Sequence, residues 1–331
     1  MACVLWKPTF YKIRTMKICV TGSNGFVGSA LLPALTGRGH EVVAVTRASG
    51  EGVNRSDHIE WVHCDLEQSS LRADQLVGVD VVVHLAGRAH VLREQGKDPL
   101  AAFRRANVEA TRKFAEASAQ AGVKRFVFVS SIGVHGSSLA NGETVTEASS
   151  AVPMEPYGIS KLEAEEALWE VSGSSGMDVV VLRPALVAGY GAPGNLARLG
   201  KLINRGVPVP VPLQDNARSF VSLNNLNGLV LRTLEAPAAS GETFLAAEQT
   251  CPSTLEVMSL IGEGLGRPVR SVPLPGPFLR LGAKAVGKSD LYDKIFGDLR
   301  VDATKARQQL GWDVVEPLGE ALRDVGRGLR S

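Results

Sequence analysis

Tyr157 and Lys161 are the residues of this sequence whose types and spacing most directly suggest acid–base chemistry. They lie four positions apart in the run Tyr-Gly-Ile-Ser-Lys, so on a helix both side chains project from one face. A lysine ammonium beside a phenol lowers the pKa of the phenol and prepares it to exchange a proton with a hydroxyl or a carbonyl. Without a suitable fold around it, the same spacing is equally typical of a surface pair.

Two serines, Ser130 and Ser131, end a predicted strand with the sequence Phe-Val-Phe-Val. In doubly wound sheets the carboxyl ends of the strands form the edge that binds ligands. A serine hydroxyl at that edge can hydrogen-bond a reacting oxygen. The alternative is a pair of turn serines that satisfies local backbone groups.

A glycine-rich turn, residues 21–28 (TGSNGFVG), separates the first predicted strand from the first predicted helix. Glycines at these positions let the chain turn tightly, let a pyrophosphate approach the helix N-terminus and let the helix pack closely on the strand. In this context the turn predicts dinucleotide binding. The predicted contacts are Gly22, Asn24, Gly25, Phe26, Val27 and Gly28.

Thr46 and Arg47 end the second predicted strand, where dinucleotide-binding folds contact the ribose. An acidic residue there would accept a hydrogen bond from the 2′-hydroxyl and favour NAD. Arg47 would instead accommodate a 2′-phosphate or stack on adenine, which slightly favours NADP. A solvated arginine at a strand end is about equally consistent with the sequence.

Short apolar, β-branched runs alternate with longer helical patterns from Met16 onward, which predicts an α/β fold with a doubly wound parallel sheet (Rossmann). We expect a dinucleotide-binding domain over residues 16–185. A smaller lobe that mainly binds substrate is expected over 186–331, with some segments returning to the sheet, and a disordered extension over 1–15. The predicted strands of the first domain are 17–21, 41–46, 59–63, 79–84, 125–130 and 178–182, and its helices are 26–36, 99–121 and 157–172.

Composition excludes several classes of protein. Lys+Arg 36 against Asp+Glu 34 over 331 residues is too balanced for a nucleic-acid partner. The four cysteines show neither close pairing nor zinc-ligand spacing, so we expect no metal site and a reducing, cytoplasmic location. Since no apolar run has the length of a bilayer span, no stable membrane insertion is expected. The mildly amphipathic stretch 277–288 is expected to pack on the substrate cleft.

Taken together, the motifs resemble those of the extended short-chain dehydrogenase/reductase family, from Met16 to the C-terminus. The motifs that carry the resemblance are the glycine turn, Asp65-Leu66, His84-Leu85-Ala86-Gly87, Asn107, Ser130-Ser131, Tyr157 with Lys161, and Leu182-Arg183-Pro184. The resemblance implies that Tyr157 is the general acid/base and that Lys161 binds the nicotinamide ribose. It selects Ser131 over Ser130 as the catalytic hydroxyl, since Ser131 lies five residues before Gly136.

The same resemblance implies further contacts. Asp65 and Leu66 would contact the adenine side of an NAD(P) cofactor, and Ala86, Gly87 and Pro184 would line it. Asn107 matches a helix asparagine with a structural or proton-relay role. A homodimer is expected on the same basis.

Within the family, the segment 218–223 (RSFVSL) is similar to that of nucleotide-sugar enzymes. Arg218 would bind the pyrophosphate of a UDP-sugar and Asn195 would lie beside it, unless Arg218 is a buried structural arginine. Ile132 and Gly133 replace the acidic pair of 4,6-dehydratases, which disfavours dehydration. Leu186 replaces an asparagine of well-studied 4-epimerases.

The sequence therefore favours a UDP-linked 4-keto-6-deoxy-N-acetylhexosamine 4-reductase of bacterial surface polysaccharide biosynthesis. A UDP-hexose or UDP-N-acetylhexosamine 4-epimerase is the alternative, because subgroups without the asparagine exist. A non-catalytic dinucleotide sensor is the third reading, and the intact Tyr157 and Lys161 pair argues against it.

Overall fold

The computed structural model describes residues 15–47, 57–69, 71–89, 98–136, 138, 143–214, 216–285, 287 and 289–330. The expected N-terminal extension lies outside these residues except for Thr15. The strands are β1 (Lys17–Thr21), β2 (Glu41–Thr46), β3 (Ile59–His63), β4 (Val81–His84), β5 (Arg125–Val129), β6 (Thr144–Val145), β7 (Asp178–Pro184), β8 (Leu186–Ala188), β9 (Val209–Pro212), β10 (Phe220–Ser222), β11 (Thr243–Ala246), β12 (Ser271–Leu274) and β13 (Arg300–Val301). The helices are α1 (Phe26–Thr36), α2 (Pro99–Arg104), α3 (Ala110–Gln120), α4 (Pro156–Ser175), α5 (Gly194–Asn204), α6 (Leu223–Glu235), α7 (Thr254–Leu265), α8 (Gly276–Ala285), α9 (Ser289–Phe296), α10 (Thr304–Leu310) and α11 (Leu318–Arg327).

Seven parallel strands form the main sheet of the described chain, in the order β11-β7-β5-β4-β1-β2-β3. The strand order reverses between β1 and β4, where Ile18 pairs with both Val42 and Val81. In doubly wound sheets this reversal opens a crevice at the carboxyl ends of the strands. The structure therefore confirms the predicted α/β doubly wound fold and locates its ligand-binding edge.

Apolar side chains on both faces of the sheet explain why helices cover it on two sides. The middle residues of strands β1, β4 and β5 are apolar and buried, as expected when neither face of the sheet meets water. On one face the sheet packs against α1 and α6 through residues such as Leu31 and Leu229. On the other it packs against α3 and α4, through Phe114 and Leu168.

A further apolar cluster lies in the C-terminal half, where α5, α7 and α11 pack together through Leu196, Met258 and Leu322. Strand β11 also belongs to this half of the sequence but forms the edge of the main sheet beside β7. The expected division of the chain near residue 185 stays a prediction. No helix within the described residues is long and apolar enough to cross a membrane.

Two features of the helices differ from the prediction. The predicted helix 99–121 is interrupted at Arg105–Glu109 by a π-helical turn. Helix α6 was not predicted because its first half, Leu-Asn-Asn-Leu-Asn-Gly, has low helix propensity. Burial of Leu226, Leu229 and Val230 against the sheet stabilises it, so tertiary packing overrides local preference.

Candidate active site

The glycine turn after β1 requires glycine for steric reasons at two positions. Gly22 has φ +66°, and a Cβ there would lie 2.9 Å from the backbone nitrogen of Ala86. A Cβ on Gly28 would overlap the carbonyl oxygen of Gly22. Helix α1 begins after Gly25 with no described side-chain cap and no acidic residue in its first turn. Its N-terminal amides are therefore suited to an anion such as a pyrophosphate.

A pocket at the carboxyl edge of β1, β2 and β4 collects the residues predicted at the adenosine end of a dinucleotide. Its lining includes Gly22, Asn24, Gly25, Arg47, Asp65, Leu66, Ala86 and Gly87. The Arg47 side chain is 72% exposed, and its Nη1 lies 4.0 Å from Oε1 of Glu67, which lines the same pocket. An acidic residue thus neighbours the arginine on which the preference for NADP depended.

His84 positions the loop that follows β4, a role that the sequence analysis did not assign. Its Nδ1 lies 2.8 Å from Oγ1 of Thr21 and its Nε2 lies 3.0 Å from Oγ1 of Thr111. The Thr21 hydroxyl in turn accepts a hydrogen bond from the Ala86 amide at 3.1 Å. Burial, together with the nearby Lys161 ammonium, lowers the pKa of His84 to about 3. His84 is therefore neutral, and it supports the loop that follows β4 through its contact with Thr21.

Asn107 lies in the π-helical turn and ties the same loop to α4. Its Nδ2 donates to Oγ of Ser160 at 2.9 Å and to the Arg88 carbonyl at 3.1 Å, and its Oδ1 accepts from the Arg88 amide at 2.7 Å. A Cβ on Gly87 would lie 3.2 Å from this Oδ1. A π-helical turn at such a point is typical of functional sites, and here Asn107 holds the loop against α4. Its proton-relay role stays a prediction.

Tyr157 and Lys161 lie in the first two turns of α4, beside the end of β5. Lys161 Nζ donates to the Val129 carbonyl at 2.8 Å and lies 4.1 Å from the centre of the Phe128 ring. Burial lowers the pKa of Lys161 to about 7, and the Glu165 carboxylate opposes this shift. Burial raises the pKa of Tyr157, while a hydrogen bond with Ser131 lowers it.

The expectation that Lys161 lowers the pKa of Tyr157 stays a prediction, since Lys161 is not among the groups that shift this pKa in the structure. Burial dominates the pKa of the phenol, and the favourable contribution comes from Ser131. The Lys161 ammonium contacts the Val129 carbonyl and the Phe128 ring.

The two serines after β5 have different surroundings. Ser130 is buried and its hydroxyl donates to Glu165. Both serines line the cleft that contains Tyr157, but only the Ser130 hydroxyl donates its proton to a hydrogen bond with a buried carboxylate. The Oγ of Ser131 accepts a hydrogen bond from the Gly133 amide at 3.0 Å. The hydroxyl available to a ligand is therefore that of Ser131.

Glu165 is a further residue of this region that the sequence analysis missed. It is 1% exposed and accepts hydrogen bonds from Arg183 Nε at 3.1 and 3.2 Å, in addition to the bond from Ser130. His135 Nε2 lies 3.0 Å from Arg183 Nη1, and burial lowers the pKa of His135. The signal was the spacing of Glu165, one helical turn beyond Lys161 and on the same face of α4.

A large cleft joins the glycine turn to the C-terminal half of the protein. Its lining includes Gly22, Phe26, Val27, Gly28, Ser131, Tyr157, Lys161, Pro184, Leu186, Asn195, Arg198 and Lys294. The structure thus brings most of the predicted catalytic, cofactor and substrate residues together in one site. Lys294, which forms an ion pair with Glu155 at 2.7 Å, is a cation of this cleft that the sequence analysis did not name.

Arg218 lies in the wall of the adjoining pockets, beside Asn195 and Leu186. It is 5% exposed, and its Nη1 donates to the carbonyls of Gly297 at 2.6 Å and Asp293 at 3.3 Å. Burial lowers its pKa to about 10, with Asp298 opposing the shift. Arg218 thus anchors the end of α9 and also reaches the pocket wall, so both roles considered for it fit its position.

Residues 18–246 match the NAD dependent epimerase/dehydratase family. A UDP-glucose 4-epimerase of Vibrio cholerae is 34% identical over 311 residues, which is 94% of each chain. The chain belongs to the NAD dependent epimerase/dehydratase family.

Solved structures of similar proteins span nearly the whole of this epimerase/dehydratase chain. A UDP-glucose 4-epimerase of Thermotoga maritima with UDP-glucose is 25% identical with a TM-score of 0.76, and covers 95% of this chain and 99% of its own. MoeE5 in complex with UDP-glucuronic acid and NAD is 26% identical with the same TM-score, 0.76, and the same coverage, 95% and 99%. The family match confirms the resemblance seen in the motifs.

Proposed function

We propose that this family member oxidises and reduces C4 of a UDP-linked hexose with NAD, and that its net reaction is 4-epimerisation. The observation that carries the proposal is that Ser131, Tyr157 and Lys161 line one cleft with the glycine turn. A dinucleotide on the turn and a sugar beside Asn195 would both reach Tyr157 in this cleft.

The glycine turn after β1 has the features that NAD binding requires. Side chains are sterically excluded at Gly22 and Gly28, and the open N-terminus of α1 offers amides to a pyrophosphate. Asp65 and Leu66 would hold the adenosine, and Lys161 and Pro184 would hold the nicotinamide end. When bound, the nicotinamide supplies an acceptor and donor of hydride.

The residues of the chain would manage the proton and the oxygen of the substrate. Tyr157 would take the proton of the C4 hydroxyl during oxidation and return a proton to the oxygen during reduction. Ser131 would donate a hydrogen bond to the developing oxyanion or ketone. Lys161, once charged against the cofactor ribose, would stabilise the phenolate of Tyr157.

A UDP-sugar is proposed as the substrate because similar proteins are UDP-glucose 4-epimerases or bind UDP-sugars. This chain offers Asn195, Arg198 and Lys294 in the cleft and Arg218 in the wall beside it. The positive charges and the amide that these side chains place in the C-terminal part of the cleft are suited to binding a diphosphate.

NAD is proposed over NADP, against the slight preference drawn from Arg47. The Glu67 carboxylate lies 4.0 Å from Arg47 and would repel a 2′-phosphate at that place. A homodimer that pairs the helices of the 99–121 and 157–172 regions stays a prediction, for which sedimentation equilibrium of the purified protein is the test.

A 4-ketoreductase of a 6-deoxy-N-acetylhexosamine is the second candidate, because the sugar end of the cleft has an apolar wall. Leu186 takes the place of the epimerase asparagine and lines the cleft and both adjoining pockets. Met154, Ala185 and Leu299 line the pocket next to Tyr157. Such a wall suits a C6 methyl or N-acetyl methyl group better than a hydroxyl.

The test separates the two net reactions. Purified enzyme is incubated with UDP-glucose and with UDP-N-acetylglucosamine, without and with added NAD, and the products are resolved by chromatography. In a separate incubation it is given a UDP-4-keto-6-deoxy-N-acetylhexosamine and NADH. An epimerase converts these sugars to the galacto epimers with no net change in NADH absorbance. A reductase leaves them unchanged and consumes one NADH for each molecule of a UDP-4-keto-6-deoxy-N-acetylhexosamine.

Two variants test the site in either case. Tyr157→Phe should lower kcat by about a thousand-fold, because the proton donor is lost. Tyr190→Phe makes the same change at a side chain that is 63% exposed and should leave kcat unaltered. Full activity of Tyr157→Phe, or no turnover of any of these substrates by the wild type, would contradict the proposal.

A further inference from the structure

Helix α8 exposes an apolar surface that the rest of the fold does not cover. Phe278 is 69% exposed and Leu281, one turn further, is 65% exposed. Among the described residues of α8 none is buried. The sequence predicts that the stretch 277–288 packs on the substrate cleft, and Gly287 near its end does line the cleft. Helix α8 itself packs on β9 and α9. Phe278 and Leu281 face solvent.

The apolar surface continues across the two-stranded ribbon of β9 and β12, which precedes α8. Val272 is 43% exposed and Leu274 is 37% exposed, and the two alternate along β12 so that they share one face. Leu213 is 63% exposed, and its amide donates to the Leu274 carbonyl at 2.9 Å. Helix α8 begins two residues after Leu274, so these side chains and Phe278 belong to neighbouring parts of one surface.

The elements that build this surface are basic. Strands β9 and β12 pair with each other, and β9, β12 and α8 contain no Asp or Glu. Acidic residues close to these elements are Asp215, three positions after β9 in the sequence, and Asp293 on the neighbouring helix α9. The basic residues of the surface, all exposed, are Arg270, Arg280 and Lys284.

Two of these basic residues lie next to the apolar side chains. Arg270 precedes β12 at a position that alternates with Val272 and Leu274, so it is on the same face of the ribbon. Lys284 is one turn beyond Leu281 on α8. Arg280 also lies on α8, 3.5 Å from the Asp293 carboxylate of α9, so its charge is partly balanced.

We propose that this apolar and basic face, made of β9, β12 and α8, docks on the surface of an anionic lipid bilayer. Exposed apolar side chains can insert among lipid headgroups while basic neighbours contact the anionic phosphates.

Docking by this face would hold the substrate cleft beside the membrane. Gly287, in the turn after α8, lines the cleft together with Asn195 and Lys294. The binding would be peripheral, through side chains of a short helix and a ribbon, and is independent of which sugar the enzyme takes.

The test is co-sedimentation of the full chain with vesicles of phosphatidylcholine, alone or mixed with phosphatidylglycerol. The protein should sediment with the mixed vesicles and stay in solution with phosphatidylcholine alone. The variant Arg270→Gln/Lys284→Gln should lower the partition coefficient about 30-fold, because each basic residue near an anionic surface contributes a factor of about five. Phe278→Ser/Leu281→Ser should also reduce binding.

The matched control is Arg38→Gln/Lys124→Gln, which removes an exposed arginine and an exposed lysine from the main sheet domain. It should retain wild-type binding. Equal loss of binding in the control, or no binding of the wild type to the mixed vesicles, overturns the proposal. A decrease in the molar mass of the free protein on Phe278→Ser/Leu281→Ser also overturns it, because the face would then join two copies of the chain.

Discussion

Replacement of Lys161 by methionine tests the electrostatic account of the site. Lys161 is 4% exposed, and burial lowers its pKa from 10.5 to about 7 in the folded protein. The unfolded chain keeps the ordinary lysine value. Between pH 7 and 10.5 the unfolded state therefore binds one more proton than the folded state, so the stability of the wild type rises with pH in this window.

The size of this effect follows from the pKa difference. Each pH unit in the window is worth about 1.4 kcal/mol, so the wild type should gain about 3 kcal/mol between pH 7.5 and 9.5 relative to Lys161→Met. For 331 residues the entropy of unfolding is about 0.7 kcal/mol per kelvin, which converts this gain to about 4 °C in Tm.

At pH 7.5 the variant should be the more stable protein. The wild type there carries a cost of about 4 kcal/mol for keeping Lys161 deprotonated or burying its charge. The lost hydrogen bond to the Val129 carbonyl and the lost contact with the Phe128 ring offset about 1–3 kcal/mol of this. Lys161→Met should therefore combine higher stability with loss of activity.

The assay is thermal unfolding of both proteins from pH 7.5 to 9.5, without cofactor. Lys124→Met is the control, since it makes the same change at a side chain that is 67% exposed. The difference in Tm between Lys161→Met and wild type should shrink by about 4 °C across this range, while that of the control stays constant. A difference that does not change with pH would refute the reasoning, because Lys161 would then be solvated like an exposed lysine.

Further predictions concern the serines, the glycine turn and the choice of cofactor. Ser131→Ala should lower kcat about 100-fold, whereas Ser130→Ala should lower stability by about 1–3 kcal/mol, because Glu165 loses a donor, and leave kcat nearly unchanged. Gly28→Ala should weaken NAD binding in calorimetry and lower Tm, since its Cβ meets the carbonyl of Gly22. Glu67→Gln should improve kcat/KM for NADP relative to NAD about five-fold, as one like charge is removed from the 2′-phosphate site.

Each of these predictions has a control or a contradicting result. Equal kcat losses in the two serine variants would mean that both hydroxyls act on the substrate. Gly173→Ala places a Cβ where nothing lies within 4 Å and should not lower Tm. An unchanged cofactor preference in Glu67→Gln would exclude the carboxylate as the reason for selecting NAD.

Much of the candidate site was predictable because its residues lie in local motifs. The glycine turn needs Gly22 and Gly28 for steric reasons that involve neighbours in sequence and one adjacent loop. Tyr157 and Lys161 share a helix face through their spacing alone. Elements whose stability depends on distant packing were harder to predict, as α6 shows, because its polar first half forms a helix only against the sheet.

By itself the sequence determined the doubly wound fold and the positions of the glycine turn, since each depends on periodicity or on short-range spacing. The spacing also singled out Tyr157 and Lys161, whereas Ser131 was selected by the family resemblance. Tertiary structure alone decided the environments. Burial lowers the pKa of Lys161 to about 7 and the pKa of His84 to about 3, so His84 is neutral. The fold also places the Ser130 hydroxyl against Glu165, which leaves the Ser131 hydroxyl available in the cleft. The tertiary structure also leaves α8 exposed, because the exposure of a helix depends on which other segments pack against it.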